Sequence, residues 1–213
     1  MKKTYDWIAS DITSRTKSLL DGQQLIVGIA GPPGGGKSSA ALALQRLVPN
    51  SIVVPMDGYH YSKEKLSQFP NSAEAFSRRG SHWTFDSEAF VAALMQLKAN
   101  NTGSFPAFQH GVGDPEENAI QVLGPPIHKV VIVEGNYLTI DIAPWNSIVD
   151  IVDHIYFIDC ELSVVEQRLV RRHMEANGNS AEVAWERVRK NDSLNAQLVL
   201  ASKQRAGTIV QSV

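Results

Sequence analysis

A single cysteine, Cys160, is the whole thiol content of this chain, so no internal disulfide can form. That fits a reducing compartment. Nowhere in the 213 residues is there an uninterrupted apolar run of about 18, the length a membrane-crossing helix needs. Lys2 and Lys3 are not followed by the apolar stretch of a signal peptide. A cytoplasmic protein with no membrane partner is the expectation. An excess of charge is missing too. The formal net charge is −2, without an acidic or basic tail, so the broad basic footprint for duplex nucleic acid is absent. Repeats, low-complexity tracts and composition shifts are also lacking, and residues 1–213 read as a single domain. Apolar residues make up 43% of the chain, enough for a packed core.

The apolar residues come in two patterns. Leu25–Ala30, Ser51–Pro55, Val130–Val133 and Ile155–Ile158 are short runs rich in β-branched residues, which read as buried strands. Short strands are also expected near Ile120–Val122 and Thr208–Val210. Between them lie helical patterns: 5–21, with Trp7, Ile8, Ile12, Leu19 and Leu20 apolar; 37–47; 86–99, capped by Asp86; one opening at a capping box over Ser163–Glu166; and 180–197. Apolar strands alternating with helices imply a parallel sheet covered on both faces.

The first apolar run stops at Gly31-Pro32-Pro33-Gly34-Gly35-Gly36-Lys37-Ser38, which fits G-x-x-x-x-G-K-[ST] and precedes a helix. A triphosphate is wrapped closely by main-chain N–H groups, which leaves no room for bulky side chains. The helix that follows points its positive end at the phosphates. Lys37 supplies a point charge for the β and γ oxygens, and the Ser38 hydroxyl a ligand for Mg²⁺. Pro32 and Pro33 have no N–H, so the donors come from Gly34 through Ser38, with Ser39 next in line. ATP and Mg²⁺ are the implied cofactors.

In a parallel sheet, ligands bind beyond the carboxyl ends of the strands. Asp57 and Glu134 stand at two such ends. Asp57 is assigned to orient the acceptor hydroxyl and take its proton. Glu134 is assigned to Mg²⁺, directly or through water, or to the substrate. Arg168, Arg171 and Arg172, spaced i, i+3 and i+4, are expected on one helical face. A cation on that face could reach charge on a transferring phosphoryl group, and such a run is otherwise a solvated basic face. Residues 168–190, turning at Asn177-Gly178-Asn179, are read as a helical lid.

These strings, in this order, resemble the superfamily of uridine kinase, phosphoribulokinase and type I pantothenate kinase, in particular a small bacterial and fungal branch labelled fructokinase-like or nucleoside-kinase-like. The resemblance runs from about residue 5 to residue 210. Its strings are Gly31 to Ser38, Pro55 to His60, Arg79 to Asp86, Val133 to Leu138, Pro144-Trp145, Arg168 to His173, and Asn191-Asp192 with Asn195-Ala196. It implies a three-layer α/β/α P-loop fold with a mainly parallel five-stranded sheet, a helical lid, a base at Asp57, Arg171 and Arg172 on the charge of the transferring phosphoryl group, and Arg168 on nucleotide. Phe105 to His110 resembles the substrate-contacting element of uridine and pantothenate kinases, departing at Gln109, where the branch often has Asp. His110 is a candidate for substrate or for a loop carbonyl. Tyr59, His60, Arg79, Trp83, Phe108 and Tyr137 form an expected aromatic, hydrogen-bonding wall for a sugar, a nucleoside or a pantothenate-like alcohol. His82 and His173 are read as ordinary surface or loop histidines.

The expected activity is transfer of the γ-phosphate of ATP to a hydroxyl of a small metabolite. A regulatory GTPase would need N-K-x-D, which does not occur. A catalytically silent or regulatory nucleotide-binding module on the same fold predicts losses at Lys37, Ser38, Asp57 or the arginines, and all are present. Oligomeric state stays open, a homodimer included.

Overall fold

The computed structural model describes residues 2–109 and 112–212. His110, a candidate substrate contact, lies outside them. In chain order the elements are α1 (Lys2–Thr16), β1 (Leu25–Ala30), α2 (Lys37–Leu47), β2 (Ser51–Pro55), α3 (Lys63–Ser67), α4 (Ser72–Ser77), α5 (Ser87–Asn100), β3 (Gly103–Gln109), β4 (Asp114–Val122), β5 (Val130–Gly135), α6 (Ile148–Ile151), β6 (His154–Asp159), α7 (Leu162–Asn177), α8 (Ala181–Arg187), α9 (Ser193–Ala201) and β7 (Thr208–Gln211). A π-helical stretch, Val188–Asp192, joins α8 to α9.

Five strands form one parallel sheet in the order β2-β5-β1-β6-β7. β1 and β5 are buried along their whole length because helices cover both faces. The alternation along each strand divides the core in two. Ile26, Ala30, Val131, Val133 and Phe157 pack with Phe90, Leu94 and Leu97 of α5 and with Trp145. Leu25, Val27, Ile29, Val130 and Ile132 pack with Ile8 and Ile12 of α1 and with Ala40, Ala41 and Leu44 of α2. This is the three-layer architecture expected. A third apolar cluster, Val165, Leu169, Ala184, Val188 and Ala196, holds α7, α8 and α9 together.

The structure departs from the sequence expectations at several places. α1 ends at Thr16 rather than near residue 21. Its Trp7 is half exposed and Leu20 lies in the turn beyond, mostly exposed, so neither belongs to the apolar face. β3 and β4 form an antiparallel hairpin where only Ile120–Val122 was expected to be strand. Pro106 disguises β3: it sits at a register shift between Phe105 and Ala107, the kind of place where a strand tolerates proline. The capping box at Ser163 does not form. α7 begins two residues earlier, after Glu161, and Glu166 instead accepts a hydrogen bond from Ser193 at 2.7 Å. The helix expected over 180–197 is interrupted by the π-helical stretch.

The candidate phosphate site and acceptor cleft

Because every strand of the large sheet is parallel, their carboxyl ends open on one edge. The loop after β1 runs into α2 there. Gly36 caps the helix with φ 96°, a left-handed conformation that glycine adopts without a Cβ penalty. Lys37 is buried, and its Nζ donates to the Pro32 carbonyl at 3.1 Å. Burial pulls the lysine pKa down, opposed by the carboxylates of Glu134 and Asp57.

Glu134 lies in β5, paired with Ile29 of β1 on one side and Pro55 of β2 on the other. The Ser38 Oγ donates to its Oε1 at 3.0 Å, while its Oε2 is buried without a hydrogen-bond partner. Burial raises the carboxyl pKa, and the Lys37 charge offsets this only in part. A hydroxyl and a carboxylate with a buried oxygen to spare are the hard donors Mg²⁺ takes. Among the described residues no cluster of three or more His, Cys, Asp or Glu suits a metal, so phosphate oxygens and water would complete the shell. The residues present fit Mg²⁺ with a nucleotide.

β2 borders β5, not β1, so Asp57 stands one strand further from the phosphate loop than Glu134 does. A short 3₁₀ turn, Met56–Tyr59, brings it back into the same cleft. The hairpin presses close behind that turn: a Cβ on Gly58 would lie 2.1 Å from the Pro106 carbonyl oxygen. The cleft measures about 760 Å³. Gly34, Gly36, Lys37, Ser38, Ser39, Asp57 and Glu134 line it, while Gly31 and Gly35 shape the loop behind.

At the other end of the cleft the His60 ring lies between Phe85, at 3.9 Å, and Phe108, at 4.6 Å. Its Nδ1 sits 2.8 Å from the Asp57 carbonyl oxygen, which can only accept, so Nδ1 carries a hydrogen. Arg79 also lines this end. Tyr59 and Tyr137 do not; both are buried in the core. Tyr59 packs on Phe90, and the Tyr137 hydroxyl donates to the Gly80 carbonyl at 2.5 Å. Trp83, in the turn His82–Thr84, stays outside the cleft as well. Tyr137 supports the wall from behind, its ring edge-on to Phe85 at 5.7 Å.

α7 crosses the phosphate loop closely enough that a Cβ on Gly34 would meet Leu169 at 3.0 Å. Arg168 and Arg172 line the cleft on either side of Leu169. Arg171 does not join them. It is exposed, and its Nε donates to Glu175 at 2.7 Å. The inward stripe of α7 is 168, 169, 172, 173 and 176, and position 171 falls outside it. His173 is a correction: it is buried, not a surface residue, and its Nε2 lies 2.7 Å from Asp192 Oδ2.

Phe85, His173, Asp192 and Asn195 also line the cleft, though sequence reasoning gave them no place in the site, and so does Arg187 of the expected lid segment. All but Arg187 stood inside the strings that carried the family resemblance, which was the available signal.

The sequence model of the Phosphoribulokinase / Uridine kinase family matches residues 26–213. A Schizosaccharomyces pombe protein provisionally named a uridine kinase is 34% identical over 200 residues, covering 89% of this chain and 84% of its own length. Among solved structures, a protein of Silicibacter sp. TM1040, provisionally named a fructose transport system kinase, superposes with a TM-score of 0.84 at 29% identity, over 97% of this chain and 98% of that one. D-glycerate 3-kinase from Cryptococcus neoformans var. grubii shares the fold, with a TM-score of 0.66 at 16% identity over 93% of this chain and 89% of that one. With the phosphate loop, the strand-end carboxylates and this match over most of its length, the chain belongs to the phosphoribulokinase / uridine kinase family of P-loop kinases.

Proposed function

We propose that this protein transfers the γ-phosphate of ATP to a hydroxyl of a small metabolite, with Mg²⁺. The observation that carries the reading is the convergence of Lys37, Ser38, Glu134 and Asp57 in one cleft beneath the arginines of α7. Gly31 to Ser39 would cradle the phosphates, and Lys37 would release the Pro32 carbonyl to meet them. Ser38 and Glu134 would hold Mg²⁺, which supplies charge neutralisation on the phosphate oxygens when bound. Asp57 would orient the acceptor hydroxyl and take its proton. Arg168 and Arg172 would meet the phosphates from above. The segment 168–190 would act as a lid, turning at Gly178, whose φ of 64° ends α7. His60, Arg79, Phe85 and Phe108 would form the acceptor wall.

The names of relatives point to fructose, uridine and D-glycerate as acceptor types. The test is a coupled ADP-release screen of the purified protein with ATP and Mg²⁺ against sugars, nucleosides, pantothenate and glycerate. One acceptor should stimulate ADP release and lose that effect in Lys37→Ala. Stimulation that survives Lys37→Ala would remove the phosphate loop from the reaction.

A further inference from the structure

We propose that Asp114 sets the charge class of the acceptor. By holding Arg79, it makes this end of the cleft read uncharged hydroxyls and turn away carboxylates and phosphates. This rests on the kinase reading above and narrows it.

The argument begins with an account of the guanidinium. Arginine has five N–H donors. In Arg79, Nη1 donates to the Gly113 carbonyl at 2.6 Å, and Nη2 donates both to the Tyr61 carbonyl at 2.8 Å and to Asp114 Oδ1 at 3.1 Å. The Nε is buried within protein and has no partner, so it is not offered to the cleft. One N–H of Nη1 remains. A carboxylate or phosphate is gripped most strongly by two parallel N–H groups from one guanidinium, and Arg79 has no such pair left to offer. A single N–H suits a hydroxyl.

Asp114 also offsets part of the guanidinium charge. Asp114 is held in place from two sides, because the Lys63 backbone N–H donates to the same Oδ1 at 2.8 Å. The adjacent arginine offers no substitute. Arg78 spends its donors on Ser81, Asn195 and the Lys190 carbonyl. The other described cations lining the cleft are Lys37 in the phosphate loop, Arg168 and Arg172 over it, and Arg187 at the end of α8. The phosphates of a nucleotide would occupy those over the loop. What faces an acceptor among the described residues is a wall of tilted rings, His60, Phe85 and Phe108, with the Arg79 guanidinium 5.7 Å from the Phe108 ring centre. Asp57 and Glu134 line the same cleft, and acidic side chains there disfavour an anion. An aromatic wall with single polar contacts matches a neutral polyhydroxylated ring, such as a sugar or a nucleoside.

The test measures binding and turnover side by side. Calorimetry with Mg²⁺ and a non-hydrolysable ATP analogue would compare fructose, ribose and uridine with D-glycerate, pantothenate and a sugar phosphate. The best neutral ligand should bind at least about tenfold more tightly than any anionic one. Asp114→Asn, which keeps the shape but frees the guanidinium charge, should shrink that ratio about tenfold, and Asp114→Glu should keep it closer to wild type. Circular dichroism would establish that both variants fold. Tightest binding by an anion, binding of no neutral alcohol, or an unchanged ratio in a folded Asp114→Asn protein would each overturn the proposal. Failure of the kinase reading looks different: a neutral alcohol binds with the expected selectivity, yet no ADP is released with ATP.

Discussion

His173 and Asp192 face each other across the base of the helical segment above the cleft, Nε2 to Oδ2 at 2.7 Å, with only 10% and 12% of their side chains exposed. The contact joins the middle of α7 to the end of the π-helical stretch, where single π turns often mark functional sites. Around it, Asn191 donates to the Arg79 carbonyl, and Ser81 donates to Asn195. The polar network therefore links α7, the π-helical stretch and α9 to the loop that carries Arg79. Losing one partner of a buried pair strands the other. His173→Gln and Asp192→Asn should each cost about 1–3 kcal/mol in denaturant unfolding. In the double variant the losses should fall short of additive by about 0.5–3 kcal/mol. Additive losses would mean that the two side chains act independently.

Asp57→Asn should leave nucleotide binding intact and lower kcat by about 10²–10⁴. The amide keeps the shape but cannot take a proton. Separate measurement of kcat and of the nucleotide Kd decides the matter. An unchanged kcat with a weakened Kd would make Asp57 a metal or nucleotide ligand instead of the base.

Glu134 yields a prediction on pH. Burial makes its ionised form costlier in the folded chain than in the unfolded one, so the folded protein keeps the proton to a higher pH than the ordinary 4.5. The folded chain then binds more protons than the unfolded chain, and stability contributed by this group is lost as pH rises through the elevated value. Glu134→Gln has no such titration. Its Tm measured against wild type, without nucleotide, should therefore improve from pH 4.5 towards neutrality, while Mg²⁺-dependent transfer is lost. A Tm difference that stays flat with pH would mean that Lys37 compensates the buried charge in full.

The two neighbouring arginines of α7 should behave differently. Arg172→Ala removes a cation that lines the cleft and should lower kcat on the order of 10²-fold. Arg171→Ala breaks only an exposed pair with Glu175 and should stay within about twofold of wild type. Equal losses would place both side chains on the phosphates during turnover.

Much of the fold was legible because the determining forces are local in sequence. Runs such as Val130–Val133, short and β-branched, read as buried strands, and Gly36 before Lys37 can turn tightly into a helix whose N–H groups face the loop. Those features gave the parallel sheet, the phosphate loop and the strand-end positions of Asp57 and Glu134. The strand order was not legible. It depends on which apolar faces meet across many residues, and it put β5 rather than β2 beside β1, which gave Glu134 the place next to Ser38. Tertiary packing also sorted residues of one chemical type into different work. Tyr137 and Tyr59 are as aromatic as Phe85 and Phe108, yet they fill the core because α5 and Trp145 press against them. Arg79 is as cationic as Arg172, yet the fold of the hairpin delivers Asp114 and the Gly113 carbonyl to it and takes up its donors. Sequence fixes which groups are available. Only the distances that folding sets between them decide which are satisfied within the protein and which face a ligand.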